Sequence, residues 1–373
     1  MNIPNKKLGF GLMRLPLLDP TDYKSIDKEN AKKMIDTFIN QGFTYFDTAY
    51  VYHGGMSERL FGELVSKRYP RNAFTVTTKM PIFIIEKIED YERIFNEQLE
   101  RCCVDYFDYY FLHSLNRNSY DEKVQPHKAF EFIAKKKAEG KIKHIGFSFH
   151  DNAETLDRIL TDHPEVELVQ LQINYIDWDS ASIESRKCYE VCVKHNKKVA
   201  VMEPLKGGKL INIPEDAKKA FKESSNLSIA SWGIRYAASL ENVIIVLSGM
   251  SNMEQLIDNT SYMVNFERLT EEEYRVIERV VKIINDAIAI QCTDCKYCID
   301  GCPMNIAIPR YFALYNNVCQ FGKLKEYKDR FNNLKEKFGA PSACIECGQC
   351  ESVCPQHLSI IRYLEEAVEV FEK

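Results

Sequence analysis

Residues 43–48 read Phe43-Thr44-Tyr45-Phe46-Asp47-Thr48, a short, nearly unbroken apolar run that closes on a carboxylate. Runs of the same kind recur at 7–13, 73–79, 106–112, 142–148, 166–173, 199–203 and 243–248. Unbroken rather than alternating apolar character is expected of parallel strands buried on both faces. Helical patterns lie between them at 28–40, 57–68, 90–104, 127–139, 153–160, 181–195 and 227–240. Eight strand–helix units in about 260 residues is the size of an α/β TIM (β/α)8 barrel. A doubly wound sheet is the runner-up, but no strand leads into Gly-x-Gly-x-x-Gly: Gly9-Phe10-Gly11-Leu12-Met13-Arg14 lacks the third glycine. Nor is Gly146-Phe147-Ser148-Phe149-His150 a nucleophile elbow, because His150 occupies the place of the final glycine.

The chain has 373 residues, with 49 Lys and Arg against 54 Asp and Glu, a net charge of −5. At roughly 150 residues per domain this suits two or three domains, or one large barrel with an attachment. With 45% hydrophobic and 28% charged residues, the composition is that of an ordinary globular protein with ample material for a core. The slight acidity leaves no composition-level case for a nucleic-acid partner, whose footprint is a basic stripe. Apolar runs stay as short as Val243–Leu247, far below the ~18 residues of a membrane helix, so no membrane partner is expected. Met1–Lys7 lacks the apolar stretch of a signal peptide, and a cytoplasmic location is expected. In that reducing compartment, 13 cysteines argue for metal or catalysis rather than disulfides.

A barrel carries its chemistry at the C-terminal ends of its strands. Those ends supply Asp47 with Tyr52 in the loop after it, Lys79, and His113, from three successive strands. Singly, each has a plainer reading: a helix cap, a solvated amine, a hydrogen-bonded core imidazole. Together they suit proton transfer to a carbonyl oxygen while hydride arrives at carbon. A phenol titrates near pH 10, too high for general-acid work at neutral pH, and a neighbouring ammonium lowers that value. Lys79 would supply the charge, Asp47 would fix Lys79, and His113 would orient the carbonyl.

Asp47-Thr48-Ala49-x2-Tyr52 with Glu58, then Lys79, then Leu112-His113-Ser114 resembles the catalytic signature of the aldo-keto reductase superfamily. That resemblance spans roughly residues 7–265 and implies a TIM barrel binding NAD(P)H across its mouth. It implies Tyr52 as general acid, Lys79 and Asp47 as its tuners, and His113 as substrate orienter. It also implies Ser148 and Gln170 at the nicotinamide carboxamide, and Ser248-Gly249-Met250-Ser251, Gln255 and Asn259 at the phosphates and adenosine. Met202 stands where the family has an aromatic ring against the nicotinamide, and Phe149 where many members have Asn. No Lys or Arg occurs in 248–259 to clamp a 2′-phosphate, leaving NADH and NADPH both open. A flavin is a further cofactor that such a barrel could take.

Nine of the thirteen cysteines fall between Cys292 and Cys354, eight of them in two copies of one pattern. These are Cys292-x2-Cys295-x2-Cys298-x3-Cys302-Pro303 and Cys344-x2-Cys347-x2-Cys350-x3-Cys354-Pro355. This is the bacterial ferredoxin run, whose fourth cysteine ligates the other cluster when there are two. The expectation is therefore two [4Fe–4S] clusters, one on Cys292, Cys295, Cys298 and Cys354, the other on Cys344, Cys347, Cys350 and Cys302. A zinc site would leave four ligands unexplained. Cys102, Cys103, Cys188 and Cys192 read as buried small hydrophobes, and Cys319 as an unligated thiol in an apolar turn. The organisation expected is a barrel over 1–269, a connecting helix over 270–289 and a mainly helical ferredoxin-like domain over 290–373.

The whole chain resembles a branch of aldo-keto reductase-like oxidoreductases with a C-terminal ferredoxin module. That implies an enzyme acting on a small carbonyl or alcohol substrate, with clusters that conduct electrons or are structural. An electron-transfer protein serving an external ferredoxin or flavoprotein, or a nucleotide-binding redox sensor, is the alternative. Hydride moves two electrons and each cluster one, so direct coupling needs a flavin or a substrate radical.

Overall fold

The computed structural model describes residues 4–373. All eight expected strands form: β1 (Leu8–Gly11), β2 (Tyr45–Asp47), β3 (Thr75–Met80), β4 (Phe107–Leu115), β5 (Ile142–Phe149), β6 (Leu168–Gln172), β7 (Lys198–Met202) and β8 (Val243–Ser248). They pair in parallel in sequence order, and β8 closes on β1. Alternating side chains along each strand face the barrel axis or the helices outside. The axis-facing set includes Tyr45, Tyr109, Phe111 and Leu168, which pack with Ala200, Ile245 and Leu247 as a filled core. Two glycines make room for these rings. A Cβ at Gly9 would come within 2.9 Å of the Tyr45 ring, and one at Gly146 within 2.8 Å of the Phe111 ring.

The outer helices form where the apolar spacing puts one face on the barrel. In Lys28–Asn40 the buried positions are Ala31, Met34, Ile35 and Phe38, and Asp27 caps the helix by accepting the Asn30 N–H. Asn152 and Asn252 cap Ala153–Asp162 and Met253–Met263 in the same way.

The contacts divide the chain into two compact units. The first comprises the chain up to Gly207 together with Leu227–Thr270, and the second comprises Gly208–Asn226 and Glu271–Lys373. The second unit thus takes in helix Glu215–Ser224, against which helix Glu271–Asp286 packs. Its other long helices, Ile308–Phe321, Lys325–Lys335 and Ile360–Phe371, share an aromatic core. The Tyr311 and Phe331 rings lie 5.4 Å apart, and those of Phe331 and Phe371 stack at 5.0 Å. Cys319 sits inside helix Ile308–Phe321 rather than in a turn. Among the described residues, no helix is long and apolar enough to cross a membrane.

Candidate active site and cysteine quartets

The polar residues at the strand ends continue the axis-facing rows of the barrel core. Asp47 follows Tyr45 by two positions, Lys79 follows Thr77, His113 follows Phe111, Ser148 follows Gly146, and Gln170 follows Leu168. Strand alternation therefore turns all five to the inner side at the C-terminal mouth. In β4 a register shift between Leu112 and Leu115 lifts His113 from the ladder, with Ser114 in the left-handed region (φ 61°). The Ser114 N–H donates to Ser148 Oγ at 2.7 Å, which joins the bulge to β5.

Lys79 Nζ donates to Asp47 Oδ1 at 2.6 Å and to the Thr48 carbonyl at 2.8 Å. Both side chains of the ion pair are buried. Lys79 Nζ stands 5.0 Å from the Tyr52 ring centroid, and the His113 ring meets Tyr52 edge-on at 5.9 Å. Burial by itself would favour a neutral amine, but the Asp47 carboxylate, with Tyr52 as a further partner, outweighs it and holds Lys79 above its ordinary value. Burial pushes the Tyr52 phenol up, and the Lys79 ammonium draws it back only in part. The expected lowering of this phenol is thus outweighed by desolvation. His113 is brought down to about 3, first by burial and then by the charges of Lys79 and His150, so its imidazole is neutral. Its Nδ1 is buried without a partner among the described residues.

Tyr52 reaches this position through an unusual turn. His53, Gly54 and Gly55 follow it with φ of 51°, 62° and 87°. His53, fully buried, holds the turn: its Nδ1 lies 2.7 Å from the Tyr23 carbonyl, and its Nε2 accepts the Leu15 N–H at 3.4 Å. The Tyr23 ring stacks on it at 4.4 Å.

Behind the site, Glu58 is sealed from solvent and accepts from Thr78 Oγ1 at 2.6 Å and Gln98 Nε2 at 2.7 Å. Gln98 also donates to the Lys79 carbonyl at 3.0 Å and accepts from the Tyr110 hydroxyl. Arg101 lies 3.4 Å from the second Glu58 oxygen. Gln98 and His53 were not singled out from the sequence. The signal for Gln98 was available: it shares the buried face of Glu89–Cys102 with Tyr91, Ile94, Phe95 and Cys102.

The cofactor candidates separate into two groups. Gln170 is buried with Oε1 unpartnered, Ser148 is buried beside it in register, and Met202 is half-buried at the end of β7. After β8, Ser251 N–H donates to Gln255 Oε1 and its Oγ to the Arg14 carbonyl. The Arg14 side chain lies along Gly249, where a Cβ would meet its Cδ at 3.0 Å. Met250 is fully buried, and Asn259 is drawn inward, donating to Ser248 Oγ and accepting from the Tyr262 hydroxyl. Phe149 is buried against Phe147, on the outer side of the barrel.

The second unit gathers the cysteines into two quartets. Cys292, Cys295, Cys298 and Cys354 line one concavity with Pro309 and Phe312, and Cys302, Cys344, Cys347 and Cys350 line another with Ile306 and Leu364. Among the described residues no three such side chains converge on a point suited to a single metal ion. The two runs share a backbone pattern: Asp294 and Glu346 have φ of 54° and 56°, Lys296 and Gly348 69° and 76°, and Asn305 and His357 51° and 49°. Left-handed residues alternating with others turn successive N–H groups toward one side, forming a concavity suited to an anionic group. Cys102, Cys188 and Cys192 are buried as expected, whereas Cys103 is exposed, because it ends helix Glu89–Cys102 with φ 52°.

Comparison with known proteins agrees with this architecture. The aldo/keto reductase family matches residues 7–282, and a 4Fe-4S dicluster domain matches residues 291–358. An uncharacterized oxidoreductase, YqkF of Bacillus subtilis, is 25% identical over 309 residues, covering 74% of this chain and 92% of that protein. A probable aldo-keto reductase 1 of Glycine max is 31% identical over 182 residues, covering 46% of this chain and about half, 48%, of that protein. The crystal structure of an aldo-keto reductase from Klebsiella pneumoniae in complex with NADPH superposes with a TM-score of 0.59 at 18% identity, covering 74% of this chain and 90% of that one. The chain is an oxidoreductase that belongs to the aldo/keto reductase family, with a 4Fe-4S dicluster domain following the barrel.

Proposed function

We propose that the barrel reduces a small carbonyl compound, or oxidises the corresponding alcohol, with Tyr52 as the proton donor. The observation that carries this reading is the sealed Lys79–Asp47 pair beneath the Tyr52 ring, with a neutral His113 edge-on to it. A bound dihydronicotinamide supplies a hydride to the carbonyl carbon. Tyr52 gives its phenolic proton to the carbonyl oxygen, and Lys79, fixed by Asp47, stabilises the phenolate left behind until solvent returns the proton. His113, neutral with one N–H, donates to the carbonyl oxygen and orients it without placing a second cation beside Lys79.

The free Gln170 Oε1 supports a carboxamide N–H there, and Ser148, already accepting the Ser114 N–H, keeps its own hydroxyl hydrogen for the carboxamide oxygen. Met202 offers a polarizable thioether face to the nicotinamide ring. Ser248, Gly249, Ser251 and Gln255 receive the phosphates, with the Arg14 guanidinium supplying the positive charge that 248–259 lacks. Met250 and Asn259, turned inward, shape this segment. The NADPH named for the Klebsiella pneumoniae neighbour supports a nicotinamide cofactor.

Cys292, Cys295, Cys298 and Cys354 hold one [4Fe–4S] cluster, and Cys344, Cys347, Cys350 and Cys302 a second. Bound clusters supply single-electron transfer. A second reading, exchange of electrons with an external ferredoxin or flavoprotein, is favoured by the exposure of Cys295 and Cys347, one in each quartet.

The test is an anaerobic titration of iron-loaded protein with NADH and NADPH, followed near ~400 nm, where [4Fe–4S] clusters absorb. Unchanged absorbance with nucleotide bound and aldehyde reduced supports a carbonyl reductase whose clusters stand apart from turnover. Bleaching supports the electron-transfer reading and calls for a flavin search, because hydride cannot pass singly to a cluster.

A further inference from the structure

A single peptide unit joins the segment after β8 to the turn that carries Tyr52. The Arg14 carbonyl accepts from Ser251 Oγ at 2.9 Å, and the N–H of the same unit, that of Leu15, donates to His53 Nε2 at 3.4 Å. A peptide is planar, so a displacement of its carbonyl is also a displacement of its N–H. A carbonyl that accepts a hydrogen bond also polarises the N–H across the unit and strengthens the bond that N–H makes. Ser251 has one hydroxyl hydrogen and gives it to Arg14, so a phosphate would have to compete with this linkage for it.

The tautomer of His53 suits the other end. The Tyr23 carbonyl can only accept, so Nδ1 carries the ring hydrogen and Nε2 is left to take the Leu15 N–H. Burial holds the imidazole below its ordinary value, which keeps it in this neutral form. The residue is 1% exposed, with little room for its ring to reorient. Its backbone is left-handed, as are those of Gly54 and Gly55 after it, and glycines impose no conformation of their own. The turn therefore depends on contacts from outside it, and His53 supplies two of them. Tyr52 is the preceding residue, so a shift of the His53 backbone is carried to the phenol.

We infer that Ser251 and His53 are positioning residues for Tyr52, acting as one linkage through the Arg14–Leu15 peptide. The segment proposed for the nucleotide phosphates, after β8, is thereby coupled to the proposed proton donor, after β2. This role rests on the proposed use of Tyr52 in carbonyl reduction and deepens it.

The test uses cluster-loaded full-length protein under anaerobic conditions, first without nucleotide, reading hydrogen exchange at residues 52–56. Ser251→Ala removes the hydroxyl. His53→Asn keeps a residue tolerant of the left-handed turn but does not reach the Leu15 N–H. Each should speed exchange at 52–56 by about fivefold, the effect of one net hydrogen bond, and leave β4 unchanged. The double variant should be no faster than His53→Asn alone, because the linkage is already cut. Unchanged exchange at 52–56 in Ser251→Ala, or effects that multiply in the double variant, overturns the inference. Should His53→Asn not fold, Ser251→Ala decides alone.

Steady-state carbonyl reduction then separates positioning from phosphate binding. Both variants should lower kcat by about tenfold with the carbonyl KM little changed. A Ser251→Ala variant that raises only the nucleotide KM, with kcat intact, shows a phosphate ligand and no linkage. If the wild type reduces no carbonyl, the proposed reaction fails while the linkage is still decided by exchange.

Discussion

Lys79 Nζ lies 2.6 Å from Asp47 Oδ1, with only 1% and 4% of the two side chains exposed. Two charges in such a place depend on each other, and removing one partner strands the other at a cost of about 3–5 kcal/mol. Asp47→Asn and Lys79→Met should each lower unfolding free energy by that order and abolish most carbonyl turnover. The double variant Asp47→Leu/Lys79→Met leaves no stranded charge, so denaturant titration should find much of the stability restored while turnover stays low. Recovery of turnover in the double variant would remove Lys79 from the chemistry.

The Tyr52 phenol must carry its proton to act in reduction. Because burial raises it above the ordinary value of 10.0 despite the Lys79 ammonium, kcat/KM for carbonyl reduction should be level through neutral pH and fall only at strongly alkaline pH. Tyr52→Phe keeps the ring but has no proton to give. Its kcat should drop by about 10²–10⁴ with KM little changed, read from steady-state rates. A falling limb below pH 9 in the wild type would show that Lys79 dominates burial after all.

His113 is neutral down to about 3, against 6.5 for the exposed side chain, because burial and then Lys79 and His150 disfavour its cation. Between those values the unfolded chain binds a proton that the folded protein refuses. Its contribution therefore makes stability fall as pH is lowered from 6.5 toward 3, by up to about 1.4 kcal/mol per unit. His113→Asn removes that titration, so the stability difference between the variant and the wild type should grow in the variant's favour across this window. Chemical unfolding at pH 7, 5.5 and 4.5 reads it, and parallel curves would mean that His113 is protonated in the fold.

The barrel strands were legible because a strand buried on both faces must be apolar throughout, and seven helical patterns between them left little else to build. Asp47, Lys79 and His113 were legible for a related reason: each interrupts or ends an apolar run where a buried polar group has no structural use. What supports them was not. Gln98 reads as a polar residue on an amphipathic helix until its apolar neighbours at 91, 94, 95 and 102 are seen to share its face. The β4 bulge depends on the left-handed Ser114, and serine carries no local signal for that conformation. The grouping of Gly208–Asn226 with the C-terminal helices is a long-range packing choice that periodicity does not encode. Burial also reversed one expectation, since a neighbouring ammonium can be read from residue types but the desolvation that opposes it at Tyr52 cannot.

The two cysteine runs exchange their last members. Cys354 joins Cys292, Cys295 and Cys298 around one concavity, and Cys302 joins Cys344, Cys347 and Cys350 around the other. If each quartet holds a cubane, Cys354→Ala removes a ligand from the cluster built by the first run, although it lies in the second. Anaerobically purified Cys354→Ala should lose roughly half of its iron, or convert one cluster to a three-iron form, with the Cys344, Cys347 and Cys350 cluster spectrally unchanged. Cys302→Ala should do the reverse, and the double variant should affect both clusters. Pairing Cys354→Ala with Cys292→Ala separates this arrangement from simple sequential ligation. Crossed quartets place both substitutions in one cluster, so the pair should spare the other; sequential quartets would put one defect in each. Iron content and low-temperature electron paramagnetic resonance of the reduced proteins would tell these apart.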